Sequence, residues 1–411
     1  MGNTMQDKKH SEIYTQMCSE VTQHLTEDII PFWKSLRDDE NGGYTGFVGY
    51  DLKADRKAVK GCILNSRITW FFANAYTLLK DSSLLEEAAH GFAFLRDVCW
   101  DRTNGGVYWS VNHDKTPAET LKHTYNQAFS IYALSSYYEA SGDREALDMA
   151  YQLYDIIEGR MRDGSGYREA FDEAFNEIGN DKLSENGVMA SRTMNTLLHV
   201  FEAYTELYRV DRDGKVAEKI KWMMDIIATK VYNPKLHRQE VFFDDSWNPI
   251  IDLHSYGHDI ETAWLVDRGI EVLGDDAYGR RMAPITRDLT QQVYKTAFRG
   301  ASLANECENG VVDDRRIWWV QAETVVGFLN AYEKTGRGEY LGAARDVWAF
   351  IRDHLIDRRD GYAAGREWYW WVGADGAPAA GQPIVEPWKC PYHNGRMCFE
   401  VIRRQEILSR K

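Results

Sequence analysis

The 411-residue sequence lacks the features that several classes of protein require. It has no excess of basic residues, since its formal net charge is −14, and this argues against nucleic acid or an anionic membrane surface as a partner. No apolar run approaches the roughly 18 residues of a membrane-spanning helix. Residues 1–12 are polar where a signal peptide would be apolar. We therefore expect a cytoplasmic protein without a membrane partner.

Cysteine pairs and linker segments are missing as well. The six cysteines are scattered and form no C-x-x-C pair, which is typical of reduced thiols. No tract rich in serine, proline and glycine divides the chain, and only residues 373–382 have the composition of a surface loop. We therefore expect a single domain that spans residues 1–411 and acts as a monomer.

Aromatic residues, by contrast, are abundant. The chain contains 14 Trp, 23 Tyr and 16 Phe, and a core alone does not need so many tryptophans. The apolar C–H face of a sugar ring stacks on an aromatic plane, while the sugar hydroxyl groups bind polar side chains. This composition therefore favours a protein that binds a small carbohydrate.

A turn motif recurs along the chain at a spacing of about 62 residues. Its second residue occupies positions 81, 143, 213, 275 and 337, so successive copies are 62, 70, 62 and 62 residues apart. The segments beside these turns have apolar residues at steps of three and four, as amphipathic helices do. Five turns and an N-terminal unit therefore predict six pairs of helices.

Six helix pairs can form an open solenoid or a closed ring. Polar and aromatic residues cluster near the predicted start of one helix in each pair, and a shared funnel explains this placement. Strand-like runs such as 241–243 and 367–371 are short. We therefore predict an all-α fold, an (α/α)6 barrel of about twelve helices with short β-hairpins at one end.

The densest cluster of reactive side chains is the stretch 254–264, which reads His-Ser-Tyr-Gly-His-Asp-Ile-Glu-Thr-Ala-Trp. It is typical of a loop that turns into a helix, on which His258, Glu261 and Trp264 would share one face. Three interpretations are open. The cluster is a catalytic base with a charge to hold it, a buried polar helix end, or a zinc site made of His254, His258 and Glu261.

Five further clusters lie at the other predicted helix starts. Their candidate site residues are Arg67, Tyr125, Asn195, His199, Trp319, Glu323, Trp388 and His393. Besides zinc hydrolysis, the set could support glycoside hydrolysis by Glu261 and Glu323, or proton transfer next to a carbonyl by His258 and His393. A glycosidase rarely needs three histidines, so His199 together with this pair favours proton transfer.

At these motifs the chain resembles the cellobiose 2-epimerases of the N-acylglucosamine 2-epimerase superfamily. The matching motifs lie at residues 254–261, 318–323 and 387–397, with shorter ones at 29–33, 122–126 and 183–187. The loop at 373–382 does not follow the family pattern. The resemblance implies an enzyme without metal or cofactor that epimerises C2 of the reducing-end glucose of β-1,4-linked disaccharides, such as cellobiose, lactose and cello-oligosaccharides.

The resemblance also implies roles for the candidate residues. His258 and His393 would be the acid/base pair, and Arg67 and His199 would lie near the sugar oxygens O1 and O2. The remaining candidates would bind the substrate, and these are Tyr125, Asn195, Glu261, Trp264, Trp319, Glu323 and Trp388. The two glutamates could instead hold the histidine pair. A mannose 2-epimerase, an aldose–ketose isomerase on monosaccharides or an inverting glycosidase remain as alternatives.

Overall fold

Helices form most of the computed structural model, which describes residues 2–183 and 186–408. In chain order they are α1 (Gly2–His24), α2 (Ile30–Ser35), α3 (Cys62–Leu79), α4 (Ser82–Phe94), α5 (Thr124–Ser141), α6 (Arg144–Arg160), α7 (Met194–Asp211), α8 (Gly214–Ile226), α9 (Tyr256–Leu273), α10 (Asp276–Thr296), α11 (Trp318–Thr335), α12 (Gly338–Phe350) and α13 (His393–Leu408). A π-helical turn, Leu25–Ile29, joins α1 to α2, and similar turns extend α4, α8 and α12, namely Leu95–Cys99, Ile227–Val231 and Ile351–Leu355.

The odd-numbered helices from α3 to α13 form a closed inner ring. Each contacts the next one along the chain, and α13 contacts α3. The helices α4, α6, α8, α10 and α12 each pack against the inner helix that precedes them. This ring confirms the predicted (α/α)6 barrel and excludes an open solenoid.

The sixth pair of helices comes from the two ends of the chain. The outer helix α1 packs against α13, and the hydroxyl of Tyr14 donates to the carbonyl of Val401 at 2.6 Å. The predicted N-terminal unit of two helices is therefore wrong in its connectivity, since this part of the chain supplies only the outer helix. Noncovalent packing of the first helix on the last one completes the barrel.

The recurring turn motif joins each inner helix to its outer helix through two residues. The first residue is left-handed, with φ between 59° and 76°, at Lys80, Gly142, Arg212, Gly274 and Gly336. This conformation ends a helix. The second residue caps the next helix, and its side chain accepts a backbone N–H at Asp81, Asp143, Asp213 and Asp275. Arg337 makes no such bond.

The inner helices are buried on every side. Residues 62–75 of α3 and 124–137 of α5 are buried without a break. Small polar side chains let neighbouring inner helices approach closely, and the hydroxyls of Ser66 on α3 and Ser130 on α5 bond to each other at 3.1 Å. None of the described helices combines the length and the apolar content that crossing a bilayer requires.

Short antiparallel strands lie where the inner helices begin. They are β1 (Lys60–Gly61), β2 (Ser110–Val111), β3 (Pro117–Glu119), β4 (Lys122–His123), β5 (Ala170–Phe171), β6 (Glu177–Ile178), β7 (Arg192–Thr193), β8 (Tyr232–Asn233), β9 (Arg238–Gln239), β10 (Phe242–Phe243), β11 (Leu253–Ser255), β12 (Glu306–Glu308), β13 (Val311–Asp313), β14 (Arg316–Ile317) and β15 (Trp371–Val372). Their sheets are β1-β2-β3, β4-β5-β6, β7-β10, β8-β9, β11-β12-β13 and β14-β15. Since β1, β4, β7, β11 and β14 run straight into inner helices, the predicted short strands at one end are confirmed.

Buried ion pairs anchor the starts of inner helices. Lys60, two residues before α3, binds Asp38 at 2.7 Å, and Lys122, two residues before α5, binds Asp101 at 2.9 Å. The second pair is completely buried. These contacts tie each helix start to a preceding loop, so strands of two or three residues suffice to position it.

Candidate active site

A cavity opens at the end of the barrel where the inner helices begin. All six inner helices contribute a residue from their first two turns. The wall residues include Arg67, Tyr125, Asn195, His199, His258, Glu261, Trp318, Trp319 and His393, together with Trp388 from the loop before α13. The structure thus brings every predicted site residue to this wall except Trp264 and Glu323.

Arg67 is a buried cation without a carboxylate partner among the described residues. Its side chain is 2% exposed, and its Nη2 donates to the hydroxyl of Tyr125 at 2.8 Å. Its Nε has no hydrogen-bond partner, and its guanidinium lies 4.1 Å from the ring of Phe129. A buried cation normally needs a counter-ion. This environment therefore suits an oxygen of a bound molecule on which negative charge develops.

His199 is held by a carboxylate. Its Nδ1 lies 2.8 Å from Oε2 of Glu202, and the hydroxyl of Tyr392 donates to the same oxygen at 2.5 Å. Burial opposes ionisation, but the charge of Arg396 and the bond to His199 lower the pKa of Glu202 to about 2. Burial lowers the pKa of His199, so its ring is neutral. The Nδ1–H group of the ring donates to this carboxylate, which leaves Nε2 free for a ligand.

His393, the first residue of α13, is held in the same way. Its Nδ1 lies 2.7 Å from Oε1 of Glu323 and 4.0 Å from Oε1 of Glu261. Burial, followed by the charge of Arg396, lowers the pKa of His393 well below its usual value. The neutral ring donates from Nδ1 to Glu323, and Nε2 can therefore accept a proton.

His258 has a neutral partner instead. Its Nδ1 lies 2.7 Å from Oγ of Ser255, and its ring lies 4.8 Å from the ring of Trp319. Burial lowers the pKa of His258 to about 3. Glu261, three residues further along α9, bonds to Arg396, so the predicted shared face does not pair it with His258. Because a hydroxyl both donates and accepts, either nitrogen of this ring can carry the proton.

Glu261 presents a carboxyl group to the cavity. Burial and the nearby Glu323 raise the pKa of Glu261 well above its usual value. One of its oxygens accepts from Arg396, whereas Oε2 is buried and has no partner. A carboxyl oxygen without a partner can bond to a hydroxyl group of a sugar.

Stacking surfaces and a further acceptor complete the wall. Trp319 and Trp388 are partly exposed, and the ring of Trp388 lies 5.8 Å from that of Tyr125. Oδ1 of Asn195 is buried and has no hydrogen-bond partner. These groups offer flat apolar surfaces and a free acceptor, which is the combination that sugars need.

Trp264 and Glu323 lie behind the wall. Trp264 is 1% exposed, and its Nε1 donates to Oε2 of Glu323 at 2.9 Å. Glu323 is completely buried. Trp264 follows His258 by six residues, so it lies about 9 Å further along the helix axis and points in a different direction, and it is not part of the described wall. That these two side chains bind a ligand directly stays a prediction, whereas the contact of Glu323 with Nδ1 of His393 agrees with the alternative that the glutamates hold the histidines.

Sequence reasoning missed four residues that hold the histidines, namely Ser255, Glu202, Tyr392 and Arg396. Spacing could have revealed two of them, because Ser255 and Glu202 are each three residues from the histidine they contact. Arg396 reaches Glu202 from 194 residues away. A contact of that kind has no signal in local sequence spacing.

Loops form the mouth of the cavity. Their wall residues are Lys182, Leu183, Asn186, Asn305, Glu306, Arg315 and Trp370. Nδ2 of Asn186 donates to Oε2 of Glu308 at 2.7 Å and so joins two of these loops. Of the motif at 183–187, Ser184 and Glu185 lie outside the described residues. The loop at 373–382 packs near His354 and contributes no described wall residue.

One group of three side chains has the donor spacing of a metal site among the described residues. The ligand atoms of Glu261, Glu323 and His393 lie within 4.8 Å of one another. The zinc interpretation named a different set, but His254 bonds to Asp259 at 2.8 Å and does not belong to this group. In the group itself, the guanidinium of Arg396 lies 2.7 Å from Oε1 of Glu323 and already supplies positive charge.

Comparisons with known proteins identify the family of this chain. The N-acylglucosamine 2-epimerase family matches residues 42–393. The cellobiose 2-epimerase of Ruminococcus albus is 49% identical over 388 residues, which cover 94% of this chain and 99% of that protein. The crystal structure of a sugar epimerase from a ruminal bacterium has a TM-score of 0.92 at 49% identity and covers 94% of this chain and 99% of that one. Cellobiose 2-epimerase from Bacillus thermoamylovorans has a TM-score of 0.91 at 43% identity, covering 95% of this chain and all of that one. The chain therefore belongs to the N-acylglucosamine 2-epimerase family, in its group of cellobiose 2-epimerases.

Proposed function

We propose that this enzyme inverts C2 of the reducing-end glucose of cellobiose and forms 4-O-β-D-glucosyl-D-mannose. The observation that supports this most is the placement of three neutral histidines, His199, His258 and His393, on one cavity wall with Arg67. Relatives that carry the name cellobiose 2-epimerase cover nearly the whole chain. Lactose and cello-oligosaccharides have the same β-1,4-substituted glucose and are proposed as further substrates.

The chemistry requires an open-chain sugar. Ring opening moves the O1 proton to the ring oxygen and makes C1 an aldehyde, which acidifies the C2 proton. Loss of that proton leaves an enediolate. Addition of a proton to the opposite face of C2, followed by ring closure, gives the mannose epimer, so the overall reaction gains and loses no atoms.

His258 and His393 carry the protons in this proposal. One takes the C2 proton at its free ring nitrogen and becomes an imidazolium. The other ring, neutral in the free enzyme, takes up a proton from solvent in the substrate complex and gives it to the opposite face of C2, and exchange with solvent resets both rings. Imidazole suits this work because the same ring serves as base when it is neutral and as acid when it is protonated.

Arg67 and His199 interact with the sugar oxygens O1 and O2 in this proposal. Arg67 has no carboxylate to neutralise it, so its charge is available to stabilise negative charge on O1 or O2. Since Glu202 holds the Nδ1 proton of His199, Nε2 of this ring accepts a hydroxyl hydrogen. Removing that hydrogen favours both ring opening and formation of the enediolate.

Substrate binding uses the remaining wall. Trp319 and Trp388 stack on sugar rings, while Tyr125, Asn195 and Glu261 bond to the hydroxyl groups of the open chain. The wall continues from the histidines to the mouth loops, where polar side chains can hold the second sugar. A cavity with this extent favours a disaccharide over a monosaccharide.

Neither metal chemistry nor glycoside hydrolysis is needed in this proposal. An inverting glycosidase uses carboxyl groups roughly 6.5–9.5 Å apart on either side of the bond, whereas Glu261 and Glu323 both contact one nitrogen of Arg396. We expect dialysis against a strong chelator to leave epimerisation intact. Loss of activity that zinc restores would contradict the mechanism.

We also propose that the protein acts as a cytoplasmic monomer with one domain. All six cysteines are free, and five of them are buried. Free thiols persist in a reducing compartment. Gel filtration with light scattering tests the oligomeric state directly.

Proton NMR of the purified protein with cellobiose in D2O tests the proposed function. We expect a mannose anomeric signal at the reducing end and deuterium at C2, because the histidine protons exchange with solvent. Full retention of the original hydrogen would indicate hydride transfer or strict internal return of the same proton instead. Free glucose would identify a glycosidase, and a ketose signal would identify an isomerase.

A further inference from the structure

Arg396 lies behind the cavity wall and contacts three carboxylates. Its Nη1 bonds to Glu202, its Nη2 bonds to Glu261, and Nη2 also lies 2.7 Å from Oε1 of Glu323. These acids come from α7, α9 and α11, so one side chain of α13 joins four inner helices. Arg396 is 2% exposed and is not part of the described wall.

Two of these carboxylates also contact histidines. Glu202 bonds to Nδ1 of His199, and Glu323 bonds to Nδ1 of His393. The guanidinium of Arg396 therefore contacts the carboxylates that bond to His199 and His393. The third ring, His258, is held by Ser255 and has no bond to this network among the described residues.

The side chains around Arg396 are arranged like the ligands of a metal site, with the guanidinium among them. Glu261, Glu323 and His393 have the donor types and the spacing that divalent transition metals bind. Without Arg396, these buried acids would face each other across a few ångströms with no cation between them, and they would rotate apart, take up protons or recruit another cation. A planar guanidinium can bond to several carboxylates at once, which an ammonium group cannot do in the same geometry.

We propose that Arg396 is a positioning residue for the proton transfer. It orients His199 and His393 through the two carboxylates, and it takes the place that a metal ion would otherwise have beside His393. The role rests on the proposed acid/base function of His393, which Arg396 supports without touching the substrate.

Kinetics of Arg396→Lys test the orienting role. Lysine keeps the charge but cannot make all three contacts, so we expect kcat to fall by about 10–100-fold, as for other residues that act through a ligand-contacting group. KM should change by less than about threefold, because Arg396 does not touch the cavity. The control is Arg403→Lys on the same helix, where Arg403 donates to Asn74 at 2.8 Å far from the site, and it should keep both constants. Wild-type kcat in Arg396→Lys, or a change confined to KM, overturns the proposal.

Cobalt binding to Arg396→Ala tests the metal-like role. We expect this variant to show the visible absorption of one bound Co²⁺ per chain, whereas the wild-type protein shows none. Equal absorption in both proteins, or in neither, overturns this part. If Arg396→Ala does not fold, the kinetics of Arg396→Lys still decide the proposal. If the wild-type protein does not epimerise cellobiose, the proposed function fails, but the cobalt contrast remains a valid test.

Discussion

Two buried arginines at opposite ends of the inner ring differ in their partners. Where the inner helices end, Arg404 is 8% exposed and pairs with Glu333 at 2.7 Å and with Glu400 at 3.3 Å. Where they begin, Arg67 is 2% exposed and has no carboxylate within ion-pair distance among the described residues. The paired charge of Arg404 has a structural role, whereas the charge of Arg67 has no counter-ion and is available to a ligand.

The connections between helices also differ between the two ends of the ring. At the first end, five turns of two residues share one backbone conformation. At the second end, the connections vary in length, and they run over residues 36–61, 100–123, 161–193, 232–255, 297–317 and 356–392. One end of the ring therefore has nearly identical short turns, whereas the longer and more variable loops at the other end contribute residues to the candidate active site. Substitutions at the end with the site should mainly lower turnover, whereas substitutions in the short turns should mainly lower the free energy of unfolding.

The largest effect on turnover should come from the acid/base pair. His258→Asn and His393→Asn should each lower kcat by roughly 10²–10⁴-fold, because each removes a group that transfers a proton in the transition state. The melting temperature should change little. Epimerisation rates at saturating cellobiose and thermal unfolding measure the two quantities.

The double variant sharpens this test. If the two histidines act as a unit, His258→Asn with His393→Asn should be little slower than either single variant, because each alone already blocks the cycle. Wild-type kcat in one single variant would exclude that residue from the pair. His199 would then be the next candidate for substitution.

A smaller effect on binding is expected from Trp388→Ala. Loss of stacking is felt equally by the ground state and the transition state, so KM should rise by about 5–10-fold with little change in kcat. Trp222→Ala, on the outer helix α8, is the matched control and should leave KM unchanged. An unchanged KM in Trp388→Ala would place the sugar elsewhere in the cavity.

The stability of the end of the ring that carries the site should depend on pH through His123. Burial lowers the pKa of His123 to about 4, whereas the same ring in the unfolded chain has a pKa of about 6.5. The stability that the neutral ring contributes is therefore present above about pH 6.5 and is lost progressively as the pH falls toward 4. The wild-type protein should thus lose more stability than His123→Gln over this range.

Denaturant unfolding of both proteins at several pH values measures this difference. The comparison between variants is needed because the adjacent Glu169 has a pKa raised by burial to about 7 and acts with the opposite sign. A difference in unfolding free energy that does not change with pH would show that His123 titrates normally in the folded protein.

The smallest effect should come from the turns at the other end. Asp143 accepts the backbone N–H of Glu145 at 3.0 Å, and Asp143→Ala should lower the free energy of unfolding by about 1 kcal/mol. The matched control is Arg337→Ala at the turn without a side-chain cap, which should cost less. Both variants should keep wild-type kcat, and a loss of turnover in Asp143→Ala would contradict the separation of the two ends.

Local signals were enough to predict much of this molecule. The turn motif at 81, 143, 213, 275 and 337 predicted the helix pairs, because a left-handed residue and a cap act within a few residues of the chain. The clusters at helix starts predicted most of the cavity wall for a related reason. A residue near the start of an inner helix must lie at the same end of the barrel as its equivalents.

By itself, then, the sequence determined the repeat, the helix type, the polar and aromatic side chains at helix starts, and the resemblance to a family, because each depends on nearby residues or on short motifs. Only the tertiary structure decided that α13 pairs with α1, that Trp264 lies behind the wall, and which group holds each histidine. Glu323 reaches His393 across 70 residues, and Arg396 reaches Glu202 across 194. Such contacts arise when the ring closes and brings helix faces together, and no period along the chain encodes them.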